Sequence, residues 1–412
     1  LRKKGVILRI EEWVAQVSRI PKVILLIEKS RAFGRGLLRG IVHYSNLHGP
    51  WLFCMEPQVY QKGSSRSLRW MQSLGADAVM AHTWDNKLIE MILDLRLPAM
   101  ICGIPEPVGM ACRIVTDEVA VGQMAAEYLV GRGFRRFAYC GFDDVVWSRR
   151  RQENFCRTVT AAGYPVYVYQ QPRRKTLSLG QEQPIIADWL RGLPRPIAVM
   201  AGNDDRAQDV LAACKIAGLA VPNEVAILGV DNDELVCGLS YPQLSSIALG
   251  TERAGFEAAR VLDRLIHGQT IDPQDRQVPV IPMHVVTRQS TDILAVEDKA
   301  IAEAVRFIHS HVRQPIQVSD VAEAVGLSKR ALQQRFRQVL SRSVHQEIQA
   351  SRVNHMAQLL INTNLSIFQI AGLLGYPDAS NLSRYFRRQM GMNPSVYRKR
   401  MGTPSVLTSR GI

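Results

Sequence analysis

The sequence predicts an α/β protein of two lobes followed by an all-α domain with two helix-turn-helix motifs. Three observations carry this. Between Pro21 and about Arg288, short apolar runs alternate with amphipathic stretches, the pattern of parallel strands covered by helices. Those roughly 270 residues exceed what one such sheet holds, so two lobes are expected. The last third then writes one pattern twice, as VSDVAEAVGLSKRALQQRFRQ from Val318 and IFQIAGLLGYPDASNLSRYFRRQ from Ile367.

In chain order, residues 1–20 read as an N-terminal extension. Arg2 to Lys4 are basic, but Glu11 and Glu12 break any apolar core of the kind an export signal needs. No run approaches the ~20 apolar residues that span a bilayer, so a cytoplasmic protein with no membrane partner is expected. Seven cysteines, none in a CxxC pair and none in the last third, read as reduced, buried thiols. Strands are expected at Val23–Ile27, Trp51–Met55, Ala78–Ala81, Ala99–Cys102, Phe137–Cys140, Val166–Tyr169, Ala198–Ala201, Ala226–Val230 and Val278–Ile281. Helices are expected between them, as at Val119–Gly131 and Ala207–Ala217. An effector domain would then span 21–288, its chain crossing between lobes near 131–135, 246–250 and 270–277. A linker (289–299), an all-α domain (300–402) and a tail (403–412) would follow.

Sites in open α/β sheets lie beyond the carboxyl ends of the strands. The residues there are consistently polar or aromatic: Ser30, Arg31 and Phe33 after the first strand, then Trp84 near His82, Asp117 after Ile114-Val115, Trp147 and Arg151 in a loop after Cys140, Asn203 and Asp204, and Asp231. Carboxylates, amides, a guanidinium fork and aromatic faces suit a sugar, with polar groups bonding hydroxyls and a ring covering the apolar face. A carboxylate after a strand also serves as the N-cap of the next helix, a reading open for Asp117 and Asp204.

In the repeated pattern Val318 falls on Ile367, Val321 on Ile370, Ala322 on Ala371, Gly326 on Gly375, Leu332 on Leu382 and Phe336 on Phe386. The apolar matches recur at helical spacing, and the shared glycine marks the turn between two short helices. Basic and polar residues follow each turn. The first copy offers Ser328, Lys329, Arg330, Gln333, Gln334 and Arg337, with Arg335 among them. The second offers Ser380, Asn381, Ser383, Arg384, Arg387 and Arg388. Such side chains suit base edges and phosphates of double-stranded DNA. Charge agrees: of the net +14, the residues from Glu297 onward hold 16 lysines and arginines against 7 acids. A basic excess packed into the shorter part is the footprint of a polyanion binder.

The last third, from about Ala300 to Arg400, resembles the AraC/XylS DNA-binding domain through VSDVAEAVGLS, SRVNHMAQLL and LSIFQIAGLLGYPDASNLSRYFRRQMGMNPSVYR. The preceding part resembles the effector domain of LacI/GalR repressors, a periplasmic-binding-protein-like fold, through IVTDEVAVGQMAAEYLVGRGFRRFAYCG, AVMAGNDDRAQDVL and AILGVDNDEL. The combination is similar to the xylose-operon regulators. It implies hydroxyl-binding roles for Asp117, Arg151, Asn203, Asp204 and Asp231, and a small aldose effector, D-xylose or another. It implies too a homodimer on DNA, acting as an activator in company with RNA polymerase.

No cofactor, metal or catalysis is expected. Gly34, Gly36 and Gly40 miss dinucleotide-fingerprint spacing by one residue, the histidines are scattered, and no nucleophile elbow or Walker loop occurs. The alternative reading is a sugar-binding protein or enzyme whose helical tail only docks a protein partner.

Overall fold

The computed structural model describes residues 20–55, 68–104, 111–172, 179–293, 298–340 and 342–401. The expected extension lies outside these apart from Ile20, the expected tail lies wholly outside, and 294–297 of the expected linker are outside too. The described residues form two compact units, one within 20–116 and 251–280, the other within 117–250 and 281–401.

The first unit begins β1 (Lys22–Leu26), α1 (Ala32–His48), β2 (Leu52–Met55), α2 (Leu68–Ser73), β3 (Ala78–His82), α3 (Asn86–Asp94), β4 (Ala99–Cys102) and β5 (Cys112–Thr116). The chain then builds most of the second unit: α4 (Glu118–Gly131), β6 (Phe137–Cys140), α5 (Val146–Ala161), β7 (Val166–Val168), α6 (Leu179–Arg191), β8 (Ile197–Ala201), α7 (Asp204–Ala217), β9 (Val225–Asp231), α8 (Glu234–Leu239) and β10 (Ser245–Leu249). It returns for α9 (Thr251–Ile266) and β11 (Gln277–Val280), and leaves again through β12 (Pro282–Val286). The helical part follows: α10 (Lys299–Ser310), α11 (Val318–Ala324), α12 (Lys329–Leu340), α13 (Val344–Asn362), α14 (Ile367–Leu373), α15 (Ala379–Met390) and α16 (Pro394–Met401).

Each unit holds a six-stranded sheet, ordered β11-β5-β4-β3-β1-β2 in the first and β12-β10-β9-β8-β6-β7 in the second. All pairings are parallel except β10 with β12. Strands β1, β3, β4, β6, β8 and β9 are buried almost throughout, as continuous apolar runs between two helical layers require. The units divide at 116/117, 250/251 and 280/281; the second division adjoins the expected 246–250, while the first and third lie outside 131–135 and 270–277. The first comes before α4 rather than after it, because Val121, Ala125, Ala126 and Leu129 of that helix join Phe137 and Phe155 in one apolar core of the second unit.

Gly36 and Gly40, the near-miss nucleotide signature, serve packing. A Cβ on Gly36 would sit 1.9 Å from Thr251 Oγ1, and one on Gly40 1.9 Å from the Glu252 carbonyl, so α1 and α9 pack backbone to backbone. In the helical part each repeat has its own core, one around Val321, Leu332 and Phe336 and one around Ile370, Leu382 and Phe386.

Candidate effector site and nucleic-acid interface

The expected ligand residues divide between the units. In the first, Ser30 and Arg31 are exposed where β1 runs into α1, and the Ser30 amide donates to Glu28. Phe33 lies 5.1 Å from the His82 ring, and Trp84 lies 4.5 Å from it edge-on. Burial pushes His82 down to about 4, so the imidazole is neutral. Trp84 is 53% exposed despite its contact with His82.

The second unit holds Asp117 at the head of α4, Trp147 and Arg151 on α5 after β6, Asn203 and Asp204 where β8 runs into α7, and Asp231 at the end of β9. Arg151 is its centre. Buried on α5, it pairs through Nε and Nη2 with the Glu118 carboxylate and donates through Nη1 to the Gly202 carbonyl at 2.7 Å. Its Cζ sits 4.7 Å over the Trp147 ring, a cation–π contact. A guanidinium carries five N–H groups, and those left over have no partner among the described residues.

Asp231 closes β9 with φ 103°, and Asn232 follows at φ 48°. Two successive non-glycine residues in the left-handed region are strained, a feature that concentrates at functional sites. Burial pushes the Asp231 carboxyl up to about 7 against the opposing pull of Arg151. The Asp204 carboxylate is turned inward instead. It accepts from the Asp233 amide at 2.7 Å, from Ser246 Oγ and from Cys237 Sγ at 3.6 Å, and so fixes the 231–233 turn. Burial raises its pKa well above the ordinary carboxylate range. Asp117 is exposed and caps α4, accepting from Ala120 N at 3.0 Å. Asn203, rather than Asp204, caps α7 by accepting from Arg206 N at 2.9 Å.

Sequence reasoning missed three residues here. Glu118, beside Asp117, orients Arg151; its signal was the doubled acid at the head of α4. Arg288 donates to Asn232 Oδ1 at 2.8 Å and to the Leu244 carbonyl at 2.9 Å, bracing the strained turn. Arg206, fully buried, donates to the Gly141 carbonyl and pairs with Glu182 at 2.7 Å, with Phe142 and Tyr169 against its plane.

In the helical part, α11 and α12 form one helix-turn-helix and α14 and α15 the other, joined by α13. The turns contain Gly326 at φ 65° and Gly375 at φ 69°, both left-handed. Asp378 caps α15 through Asn381 N at 2.7 Å, and Ser366 and Gln369 make a capping box on α14. Ser328, Lys329, Arg330, Gln333, Gln334 and Arg337 are all exposed on or beside α12. Ser380, Arg384, Arg387 and Arg388 are exposed on α15, with Asn381 and Ser383 half-buried. Arg335 departs from its set: its fork grips the Asp298 carboxylate at 2.7 and 2.6 Å and ties α12 to the cap of α10. Two helices thus present cations and amides outward over aromatic cores, an arrangement suited to phosphates and base edges.

A model of the periplasmic binding protein-like domain matches residues 126–291, and a model of a helix-turn-helix domain matches 321–400. Regulatory protein SoxS of Escherichia coli strain K12 is 38% identical over 103 residues, covering 25% of this chain and 96% of SoxS. The chain belongs to the AraC/XylS family of transcription regulators. As an AraC/XylS regulator it binds DNA through its helix-turn-helix domain, and it carries a periplasmic-binding-protein-like domain ahead of it. The xylose operon regulatory protein of Haemophilus influenzae is 28% identical over 386 residues, 92% of this chain and 98% of that protein. The structure of a xylose-binding transcription activator, xylR, superposes with a TM-score of 0.59 at 27% identity, covering 93% of this chain and 99% of that one. A CelR–cellobiose complex shares the fold at a TM-score of 0.53 and 21% identity. Among the described residues no helix is long and apolar enough to cross a membrane, and no group of metal-ligating side chains gathers.

Proposed function

We propose that this chain is a sugar-responsive activator of pentose catabolism genes, with D-xylose or another aldose as its effector. The carrying observation is Arg151. It is a buried cation oriented by Glu118, beside a strained aspartate and against a tryptophan, in the domain that precedes the DNA-binding helices. Arg151 donates to sugar hydroxyls, Asp231 accepts from them, and Trp147 covers an apolar face of the ring. Asp117 and Asn203, both helix caps at strand ends, offer further acceptors, and Asp204 acts through the turn it holds. In the first unit, Ser30, Arg31, Phe33 and Trp84 are the residues proposed to meet a sugar. The chain works as a cytoplasmic homodimer presenting four recognition helices, contacts RNA polymerase at the promoter, and carries out no catalysis. The relatives support this reading by their printed names, two of which mention xylose.

A thermal-shift panel of pentoses and hexoses tests it. A ligand at a hundred times its Kd adds about 2.7 kcal/mol, enough to read as a clear rise in Tm. D-xylose or another aldose is expected to give that rise, and Arg151→Ala to remove it. A flat response to every sugar contradicts the proposal.

A further inference from the structure

We propose that α4 is the link between the effector site and the first helix-turn-helix, with Arg135 and Arg342 as the positioning residues that pass its displacement to the recognition helix α12. The proposal rests on Arg151 being an effector-binding residue and deepens that reading.

The two ends of α4 meet the two places that must communicate. Its first turn carries Glu118, buried and paired with Arg151. Any change in how Arg151 is engaged is therefore felt by the head of α4. Its last turn carries Gly131, whose carbonyl is one of the four that a helix leaves without an internal partner. Arg342, between α12 and α13, donates to that carbonyl at 2.6 Å. The contact is returned: Arg135, four residues past Gly131, donates to the Val339 carbonyl at 2.9 Å, in the last turn of α12. Each side thus supplies an arginine to the negative end of the other's helix, where a cation is favoured.

The body of α4 is fit to carry a displacement. It spans 14 residues, or about 21 Å of regular helix. It packs tightly on α5, the helix that bears Arg151: a Cβ on Gly122 would lie 2.7 Å from the Phe155 amide. Val121, Ala125, Ala126 and Leu129 are fully buried, so the helix cannot shift without its neighbours. Arg132, at its C-cap, donates to the Thr291 carbonyl at 2.9 Å and pairs with Asp292 at 3.4 Å, engaging the chain that runs on toward α10. An effector shifts the tail only as far as it changes contacts between tail and effector domain. The Arg135 and Arg342 bonds are such contacts, and they are placed on the helix that carries one set of DNA-facing side chains.

The test uses the full chain, D-xylose as probe and a duplex selected from a random library by the parent protein. Two quantities are measured: D-xylose affinity by tryptophan fluorescence without DNA, and the ratio of duplex Kd with and without D-xylose. Coupled sites typically show a ratio between about 5 and 150. The Arg135→Ala, Arg342→Ala double variant is expected to bind D-xylose as the parent does while its ratio falls to near unity. Arg135→Lys with Arg342→Lys, which keeps a cationic donor at each carbonyl, is expected to recover most of the ratio. An alanine double variant with the parent's ratio overturns the link and leaves the effector reading standing. Loss of duplex binding in both sugar states also overturns it, since the arginines then serve only the tail's fold. A parent that binds no sugar removes the effector reading, and the link with it.

Discussion

At the scale of single residues, the account turns on which charges are spent inside the protein and which are left for a partner. Arg384 and Arg387 on α15 are exposed, whereas Arg335 on α12 is held by Asp298. Arg384→Ala is therefore expected to cost roughly 1–3 kcal/mol of specific DNA binding, and Arg337→Ala to lower the salt slope by about 1. Arg335→Ala is expected to lower the melting temperature of the helical part with little change in that slope. Binding isotherms at several salt concentrations separate the three. Asp231 gives a pH signature. An aspartate whose folded pKa is raised from 3.8 to about 7 keeps its proton while the unfolded chain releases one, so stability falls as pH rises across that window and stays lowered above it. Asp231→Asn removes this cost. Without sugar the variant is expected to melt above the parent at pH 8, with the gap closing toward pH 4. A gap that widens on acidification contradicts the assigned shift.

At the scale of elements, the helical repeat was the most legible part of the chain. The Val321/Ile370, Leu332/Leu382 and Phe336/Phe386 matches are all core, and both predicted turn glycines are left-handed. Phe386, fully buried against Tyr397, anchors the second repeat. Phe386→Ala is expected to cost about 3–5 kcal/mol, read by denaturant unfolding of the full chain. Nine strands were legible because parallel strands between helical layers are written as unbroken apolar runs. Strands β5, β10 and β12 were not, for a physical reason: Arg113 interrupts β5, and the other two begin with Ser245-Ser246 and with Pro282. The two serines are buried and spent on Ser290, Arg288, Thr291 and Asp204 rather than on apolar packing. Arg206 was illegible likewise, because a lone arginine on a helix reads as solvated until its cage of Glu182, Phe142 and Tyr169 is seen. Removing one partner of a buried ion pair typically costs about 3–5 kcal/mol, and Arg206→Ala is expected in that range by the same unfolding measurement. In the candidate site the sequence singled out the strand-end loops as candidates. It could not show that Asp204 faces inward, because a carboxylate's role depends on the amides and hydroxyls that distant segments bring to it.

At the scale of the molecule, charge and topology divide the labour. The part from Glu297 onward carries a net +9 of the chain's +14, with the exposed basic and polar faces of α12 and α15. The preceding α/β part carries the buried cation and carboxylates suited to a neutral polyol. Phosphate contacts alone give binding that is steeply salt-dependent and indifferent to sequence, while base contacts and effector control are separate additions. The central claim is that a sugar governs sequence-specific DNA binding. It is tested most directly by fluorescence-anisotropy titration of the full chain against a selected duplex and its scrambled counterpart, each with and without D-xylose. The account predicts that the selected duplex binds tighter by about a thousandfold or more, with D-xylose altering its affinity and leaving the scrambled duplex unaffected. Equal affinity for both duplexes, unchanged by the sugar, would contradict it.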